Sequence, residues 1–279
     1  MRATIAAVLA LATLLVAACA KQNGSESTGL AHIHGLGLNP ADNTLYAGTH
    51  YGVYRFTADG TGAERVGDTV ADFMGFTVAG PDHFLGSGHP GEGDRSAPAN
   101  VGLIESADGG RTWAPLSLRG EADFHALKVR GDTVFGLDGR TQTVLVSTDR
   151  RTWAPRAAIN AADIAVSPTD QNIVLASTPD GLARSTDQAR TFSAAASGPV
   201  LALLSWPDDG PLVGVDPTGT TYVSADSGAT WQQRQELNTR PQALLAAGDG
   251  VVFLATTEGI LRSTDNATTF HTFYTPAPQ

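Results

Sequence analysis

An all-β fold, a six-bladed β-propeller, is predicted from three regularities in the sequence. A short turn pattern occurs six times among the 279 residues, most often as Ser-x-Asp-x-x-x-Thr followed by Trp or Phe. The aspartates of successive copies are between 38 and 49 residues apart, close to the length of one four-stranded blade. Apolar runs of strand length precede each copy. The copies begin at Thr57, Ser106, Ser147, Ser185, Ser224 and Ser263.

The first element along the chain has the pattern of a lipoprotein signal peptide. Met1 and Arg2 give a short positive start, and residues 5–16 form an apolar run of the length of a signal-peptide core. The Val-Ala-Ala-Cys segment that follows resembles a bacterial lipobox, a signal in which the cysteine receives a lipid and becomes the mature N-terminus. The resemblance implies a signal peptide at residues 1–18, lipidation of Cys19 and anchoring to the extracytoplasmic face of the cell membrane. A plain secretory peptide is the alternative.

Beyond the signal, the composition restricts the partners. A lipidated N-terminus and polar tether at residues 19–29 are expected to precede a propeller at residues 30–276. Cys19 is the single cysteine, which excludes an intramolecular disulfide framework. The formal net charge of −10 argues against nucleic acid as a partner. The expected partners are the lipid bilayer, through Cys19, and a metal ion or small polar ligand.

The strands of each blade are predicted from apolar runs bounded by turn residues. They cover residues 33–38, 45–49 and 52–57 in the first blade, and 73–78, 84–88, 102–106 and 113–118 in the second. The third blade has residues 124–129, 133–137, 144–147 and 153–156. The fourth blade has residues 164–166 and 173–177. The fifth begins with residues 200–204 and 212–215 and the sixth with residues 243–245 and 251–255, and these two each continue into their own turn and fourth strand.

The repeated turn is explained by structure alone. A carboxylate two residues after Ser or Thr can accept backbone N–H bonds across a tight hairpin, and the closing aromatic can fill space between blades. The pattern resembles the Asp-box, or BNR repeat, of sialidases, sortilin-type receptors and photosystem assembly factors. In those families the box lies between the third and fourth strands, away from the ligand, so the resemblance implies that function resides elsewhere.

Histidines mark the opposite face. Loops that enter the first strand of each blade, and loops between the second and third strands, converge on one end of a propeller channel. Five of the seven histidines fall in these loops, all in the first three blades. In a regular strand, alternation would place His32 and His34 on one side. The predicted metal ligands are His32, His34, His50, Met74, His89 and His125.

Imidazole ligands suit zinc and copper, and a thioether such as Met74 favours copper. The main prediction is therefore a surface-anchored binding module for copper or zinc, with no catalytic residue assigned. Ligand contacts from the same face are expected from Asp123, Asp138, Arg95 and Arg140. Each histidine has the alternative of a structural, hydrogen-bonded role, and Met74 that of a core residue.

Two other functions stay open. The Asp-box resemblance implies a sialidase-like or other glycoside hydrolase, but only Arg95 and Arg140 are placed to serve as the three arginines that a sialidase needs. A two-carboxylate mechanism remains possible through Asp72, Asp123, Asp138 and Glu92. The third possibility is a protein-binding assembly scaffold, although the predicted face carries histidines and carboxylates rather than apolar anchors.

Overall fold

The computed structural model describes residues 30, 32–91, 93–195 and 198–276. The predicted signal peptide, the tether with Cys19, and Glu92 lie outside these residues. Within the described part, 24 strands form six antiparallel sheets of four strands, each in chain order. This confirms the all-β, six-bladed propeller.

The strand bounds, blade by blade, are as follows. Blade 1 contains β1 (Ile33–Asn39), β2 (Thr44–Thr49), β3 (Gly52–Phe56) and β4 (Ala63–Arg65); blade 2 contains β5 (Asp72–Gly80), β6 (His83–His89), β7 (Leu103–Ser106) and β8 (Ala114–Ser117). Blade 3 contains β9 (Phe124–Arg130), β10 (Thr133–Asp138), β11 (Thr143–Ser147) and β12 (Ala154–Ala158); blade 4 contains β13 (Asp163–Val166), β14 (Val174–Thr178), β15 (Gly181–Ser185) and β16 (Ser193–Ala194). Blade 5 contains β17 (Leu203–Ser205), β18 (Leu212–Val215), β19 (Thr220–Ser224) and β20 (Gln232–Glu236); blade 6 contains β21 (Pro241–Gly248), β22 (Val251–Thr256), β23 (Gly259–Ser263) and β24 (His271–Tyr274).

One predicted strand begins at the wrong place. The apolar run at residues 200–204 predicts the first strand of blade 5, but the strand starts at Leu203. Val200 is 48% exposed and follows Pro199, which has no N–H to donate to a ladder. The apolar run is therefore longer than the strand that pairs in the sheet.

The hydrophobic core lies between neighbouring blades. Phe73 of β5 packs on Trp113, with ring centroids 4.8 Å apart, in a cluster that includes Tyr46 of blade 1. One blade further on, Trp153 packs on Phe124 at 4.9 Å. Trp113 and Trp153 close the repeated turns of their blades, and both pack against clusters that include residues of the preceding blade.

Hydrogen bonds of the repeated turn are well represented by the copy in blade 2. The carboxylate of Asp108 accepts bonds from the backbone N–H of Thr112 at 2.9 Å and from its hydroxyl at 2.6 Å. Ser106 donates its hydroxyl to the same carboxylate and accepts the N–H of Gly110. Bonds from Thr112 hold the pKa of Asp108 down at about 2. The donors and acceptors of this hydrogen-bond network all belong to the same turn.

The ring closes by packing between blade 6 and blade 1. A cluster of buried side chains joins them, among them Leu36 of β1 and Phe253 of β22. The backbone N–H of Ile33 also donates to Oε1 of Gln242 at 3.2 Å. Among the described residues, both blades consist of consecutive strands, and none of these strands is exchanged across the junction. A search of the described residues finds no helix with the length and hydropathy of a membrane span.

Candidate functional site

Three histidines of blade 1 form one group at an end of the channel. His32 precedes β1, His34 lies on it, and His50 follows β2. Their ring centroids are 4.4 to 5.3 Å apart, and one nitrogen from each lies within 4.8 Å of the others. Separations of this size allow the three imidazoles to converge on one ion.

A β-bulge presents His34. In the pairing of β1 with β2, Ile33 and Gly35 oppose consecutive partners, Thr49 and Gly48, so His34 is the extra residue. A bulge re-aims a side chain locally and is common beside binding sites. The expectation that regular alternation aligns His32 with His34 is therefore wrong in its reason, although the two rings do meet.

Similar β-bulges occur in three other blades of the ring. Near the start of the innermost strands of blades 2, 3 and 6, the extra residues are Met74, His125 and Gln242. All three, together with His34, line a cavity of about 800 Å³ along the channel. The bulges thus place four side chains at one level of the channel wall.

Asp72 supports the three-histidine group from blade 2. One of its oxygens, Oδ1, lies 2.8 Å from Nδ1 of His50 and 3.9 Å from Nε2 of His34. If Nδ1 of His50 donates to this carboxylate, its Nε2 carries the free lone pair. A carboxylate behind an imidazole is the usual outer partner of a metal-binding histidine.

His34 has a ligand nitrogen with nothing bound to it. Its side chain is 11% exposed, and Nε2 is buried without a hydrogen-bond partner. Burial, and then the neighbouring His32 and His50, lower the pKa of His34 to about 3. Burial and His50 also lower the pKa of His32. Both imidazoles are therefore neutral at pH 7, the form that binds metals.

A second group surrounds Asp123, whose side chain is 5% exposed. Its Oδ2 lies 3.0 Å from Nε2 of His125 and 3.6 Å from Nε2 of His89. Its Oδ1 is buried and has no hydrogen-bond partner. Nδ1 of His89 donates to the carbonyl of Ala99 at 2.9 Å. The structure therefore divides the five predicted histidine ligands into a group of three and a pair around a carboxylate.

The other predicted ligand residues make structural hydrogen bonds or lie exposed. Oδ1 of Asp138 accepts the N–H of Asp123 at 3.0 Å, and Oδ2 accepts the hydroxyl of Thr141 at 2.7 Å. Arg140 is exposed and donates to the carbonyl of Glu121. Arg95 is exposed on the loop after β6. The structure does not bring these two arginines into the histidine groups.

The sequence pattern does not predict a role for two charged residues of the channel. Lys128 lies in the same cavity, where Nζ is 3.0 Å from Oδ1 of Asp163. Arg130, further along β9, donates to the carbonyls of Val166 and Trp206. The one available signal is composition, because the sequence has only two lysines and one of them lies on an innermost strand.

Comparisons with known proteins give a fold and a distant relative. No protein-family model matches the sequence. A curated xyloglucanase of Hypocrea jecorina (strain QM6a) is 28% identical over 169 residues, which is 57% of this chain and 20% of the xyloglucanase. The chain thus spans about a fifth of that relative's length.

Solved structures with a similar fold include a xyloglucanase and a YCF48 protein. The GH74 xyloglucanase from Xanthomonas campestris has a TM-score of 0.55 and 18% identity, with 87% of this chain and 45% of that chain covered. YCF48 from Cyanidioschyzon merolae has a TM-score of 0.55 and 12% identity, with coverages of 85% and 96%. The chain therefore has a propeller fold like that of glycoside hydrolases, and its similarity to xyloglucanases supports the hydrolase alternative better than metal binding.

Proposed function

We propose that this propeller binds a transition-metal ion, zinc or copper, through His32, His34 and His50. The buried, unpartnered Nε2 of His34 carries the proposal, because a buried polar atom without a partner is costly unless something binds it. The three imidazoles are close enough to share one ion, and Asp72 lies behind His50 as an outer partner.

The choice between the two metals rests on Met74. Three imidazoles suit both zinc and copper, and a thioether ligand shifts the preference toward copper. Met74 lines the same cavity as His32 and His34. We propose that it ligates Cu(I) and leaves zinc binding to the histidines, so Met74→Leu is expected to weaken Cu(I) binding more than Zn²⁺ binding.

The test is elemental analysis of protein that begins after Cys19, incubated with zinc or copper and then desalted. Wild-type protein is expected to retain one ion, and the variant with His32, His34 and His50 changed to Ala to retain none. The matched control is His271→Ala, because His271 is exposed on the outer strand β24. Equal retention by the triple variant and by wild type contradicts the proposal.

A glycoside hydrolase is the second candidate, and the xyloglucanase similarity favours it. Of the carboxylates on this face, Asp72 contacts His50, Asp123 contacts His125, and both oxygens of Asp138 accept hydrogen bonds. Hydrolysis needs two carboxylates that face the sugar. Release of reducing sugar from xyloglucan by wild type, and its loss in Asp123→Ala, would support this candidate; no release at high protein concentration would reject it.

Anchoring and the repeated turns complete the proposal. We propose that Cys19 is lipidated and holds the propeller outside the cell membrane, and that the repeated turns are Asp-boxes with a structural role. The lipobox-like segment supports the first, and the closed hydrogen-bond network of Asp108 supports the second. Mass spectrometry of the mature N-terminus tests the anchor, and Cys19→Ala is expected to release the protein from membranes.

A further inference from the structure

The pair of histidines around Asp123 has no task in the proposed metal binding. Asp123 is a buried carboxylate that touches His125 at 3.0 Å. Burying a carboxylate costs free energy unless its charge is paired, so a buried aspartate beside the channel needs a physical reason. The imidazole of His125, which Asp123 holds, is the member of the pair that can do chemistry in the channel.

His125 is held in a fixed position yet open to the cavity. It is the extra residue of the bulge in β9, and its side chain is 41% exposed. A Cβ on Gly139 would lie 2.5 Å from Nε2 of the ring, so glycine at this position leaves the space that the imidazole occupies. With Nε2 directed at Asp123, Nδ1 has no hydrogen-bond partner among the described residues.

His125 and the three-histidine group share the cavity. His32, His34 and His125 all line it, and the charge of His125 lowers the pKa of His34, so the two groups are within electrostatic reach. Three imidazole ligands leave a tetrahedral ion one open position, the arrangement of catalytic rather than structural zinc sites.

We infer that His125, held by Asp123, is the proton acceptor for hydrolysis of small carboxylic esters at this face, with the ion bound by the three-histidine group as the electrophile. The inference rests on the proposed metal binding and adds an activity and a substrate class to it. Asp123 serves as a positioning residue, since it acts through the imidazole.

The reaction balances without a further reactant. An ion held by His32, His34 and His50 would supply the acidity that activates a water molecule at neutral pH. The water oxygen forms a bond to the ester carbonyl carbon while its proton passes to Nδ1 of His125. The bond from that carbon to the alcohol oxygen then breaks, and the proton on His125 passes to the leaving oxygen. The products are a carboxylic acid and an alcohol, and no group is oxidised or reduced.

Esters fit this face better than glycosides do. Ester hydrolysis needs a polarised carbonyl and one proton acceptor, which an ion and His125 supply. Glycoside hydrolysis needs two carboxylates free to face the sugar. Asp123 is buried and bound to His125, and Asp138 is only 3% exposed.

The electrostatics of the surroundings agree with a proton acceptor. The hydrogen bond that Nε2 of His125 donates to Asp123 raises the pKa of His125 above its ordinary value, and Asp138 and Asp72 add to the rise, while burial opposes it. His34, His89 and Arg140 are the neighbouring cationic or titratable groups. An imidazole is the usual proton acceptor in this chemistry.

The test uses 4-nitrophenyl acetate with protein that begins after Cys19 and is loaded with zinc. Wild type is expected to release 4-nitrophenol, and His125→Ala to lose about 10²-fold in kcat with its zinc content unchanged. Free imidazole is expected to restore part of that rate, above its own background, because it can occupy the space of the lost ring. His271→Ala is the control.

A second measurement follows the positioning residue without the metal. In the metal-free protein, ¹⁵N spectra of the His125 ring are expected to show the proton on Nε2, and Asp123→Asn to give a mixture of tautomers. The same substitution should lower kcat with little change in KM. An unchanged tautomer in Asp123→Asn contradicts the positioning role.

The outcomes separate this inference from the metal site. Zinc binding by wild type with no ester hydrolysis overturns the inference and leaves the metal site standing. Full activity in His125→Ala does the same. Loss of zinc from His125→Ala would make this residue a ligand instead of a proton acceptor, and absence of zinc binding in wild type overturns both.

Discussion

At the scale of single residues, the proposed metal binding predicts that Asp72 sets how tightly the three-histidine group holds an ion. Its contact with Nδ1 of His50 fixes the tautomer that leaves Nε2 free. Asp72→Asn is expected to weaken metal affinity by about 10- to 100-fold, the usual effect of losing such an outer partner. Competition with a chromophoric chelator measures the change. Asp68→Asn, an exposed neighbour, is the control; an equal effect in both variants would contradict the assignment.

His34 predicts how stability depends on pH in the metal-free protein. Its folded pKa is about 3, against 6.5 for an unperturbed histidine. Between these values the unfolded chain binds more protons, so the free energy of unfolding falls as pH falls from 6.5 towards 3. One such group contributes a slope of up to about 1.4 kcal/mol per pH unit. Urea unfolding at pH 7.5, 5.5 and 4.5 should show a shallower decline in His34→Gln; parallel curves would contradict the prediction.

The sequence predicted that the five histidines lie on one face better than it predicted how they group. The density of histidines in blades 1 to 3 was enough to predict one channel face, because propeller loops converge there. It could not show that His50 would meet Asp72 or that His125 would meet Asp123, since the strands that carry these pairs take their relative positions from packing between blades. The bulge at His34 also had no signal in the sequence pattern.

At the scale of elements, the repeated turn is a measurable source of stability. Asp108→Ala removes the acceptor for the backbone N–H and the hydroxyl of Thr112. A loss of about 1–3 kcal/mol is expected, which lowers Tm by about 2–4 °C per kcal/mol in a protein of this size. Asp59 occupies the copy without an aromatic residue, so Asp59→Ala is the comparison and should change Tm less; the reverse order would contradict a structural role.

Most strands were predicted from the sequence because each blade is local in the chain. Apolar runs and turn residues fixed the hairpins, and the spacing of the aspartates fixed the number of blades. The failures came where hydrophobicity and pairing differ, as in the segment around Val200, whose apolar side chain is exposed. Bulges in four innermost strands likewise depend on the neighbouring strand and on the cavity, neither of which a single strand's pattern contains.

At the scale of the whole molecule, the pair of Lys128 and Asp163 joins three blades across the channel. Lys128 of blade 3 also donates to the carbonyl of Leu204 in blade 5, and Asp163 of blade 4 accepts the N–H of the same residue. Lys128→Ala would leave the buried carboxylate of Asp163 without its positively charged partner and is expected to cost about 3 kcal/mol. The double variant Lys128→Met, Asp163→Asn should recover part of the loss; strictly additive effects in chemical denaturation would contradict this coupling.

The contiguous blades have a consequence for how the ring assembles. Every sheet pairs strands that are neighbours in the sequence, so each can form by closing short loops, which costs little chain entropy. The junction of blades 6 and 1 is different, because it brings distant parts of the chain together through side chains and one hydrogen bond to Gln242. Amide hydrogens of β1 and β21 should therefore exchange through an opening of lower energy than global unfolding. The histidines of blade 1 lie beside the junction of blades 6 and 1, so an ion bound by them would stabilise the closed ring.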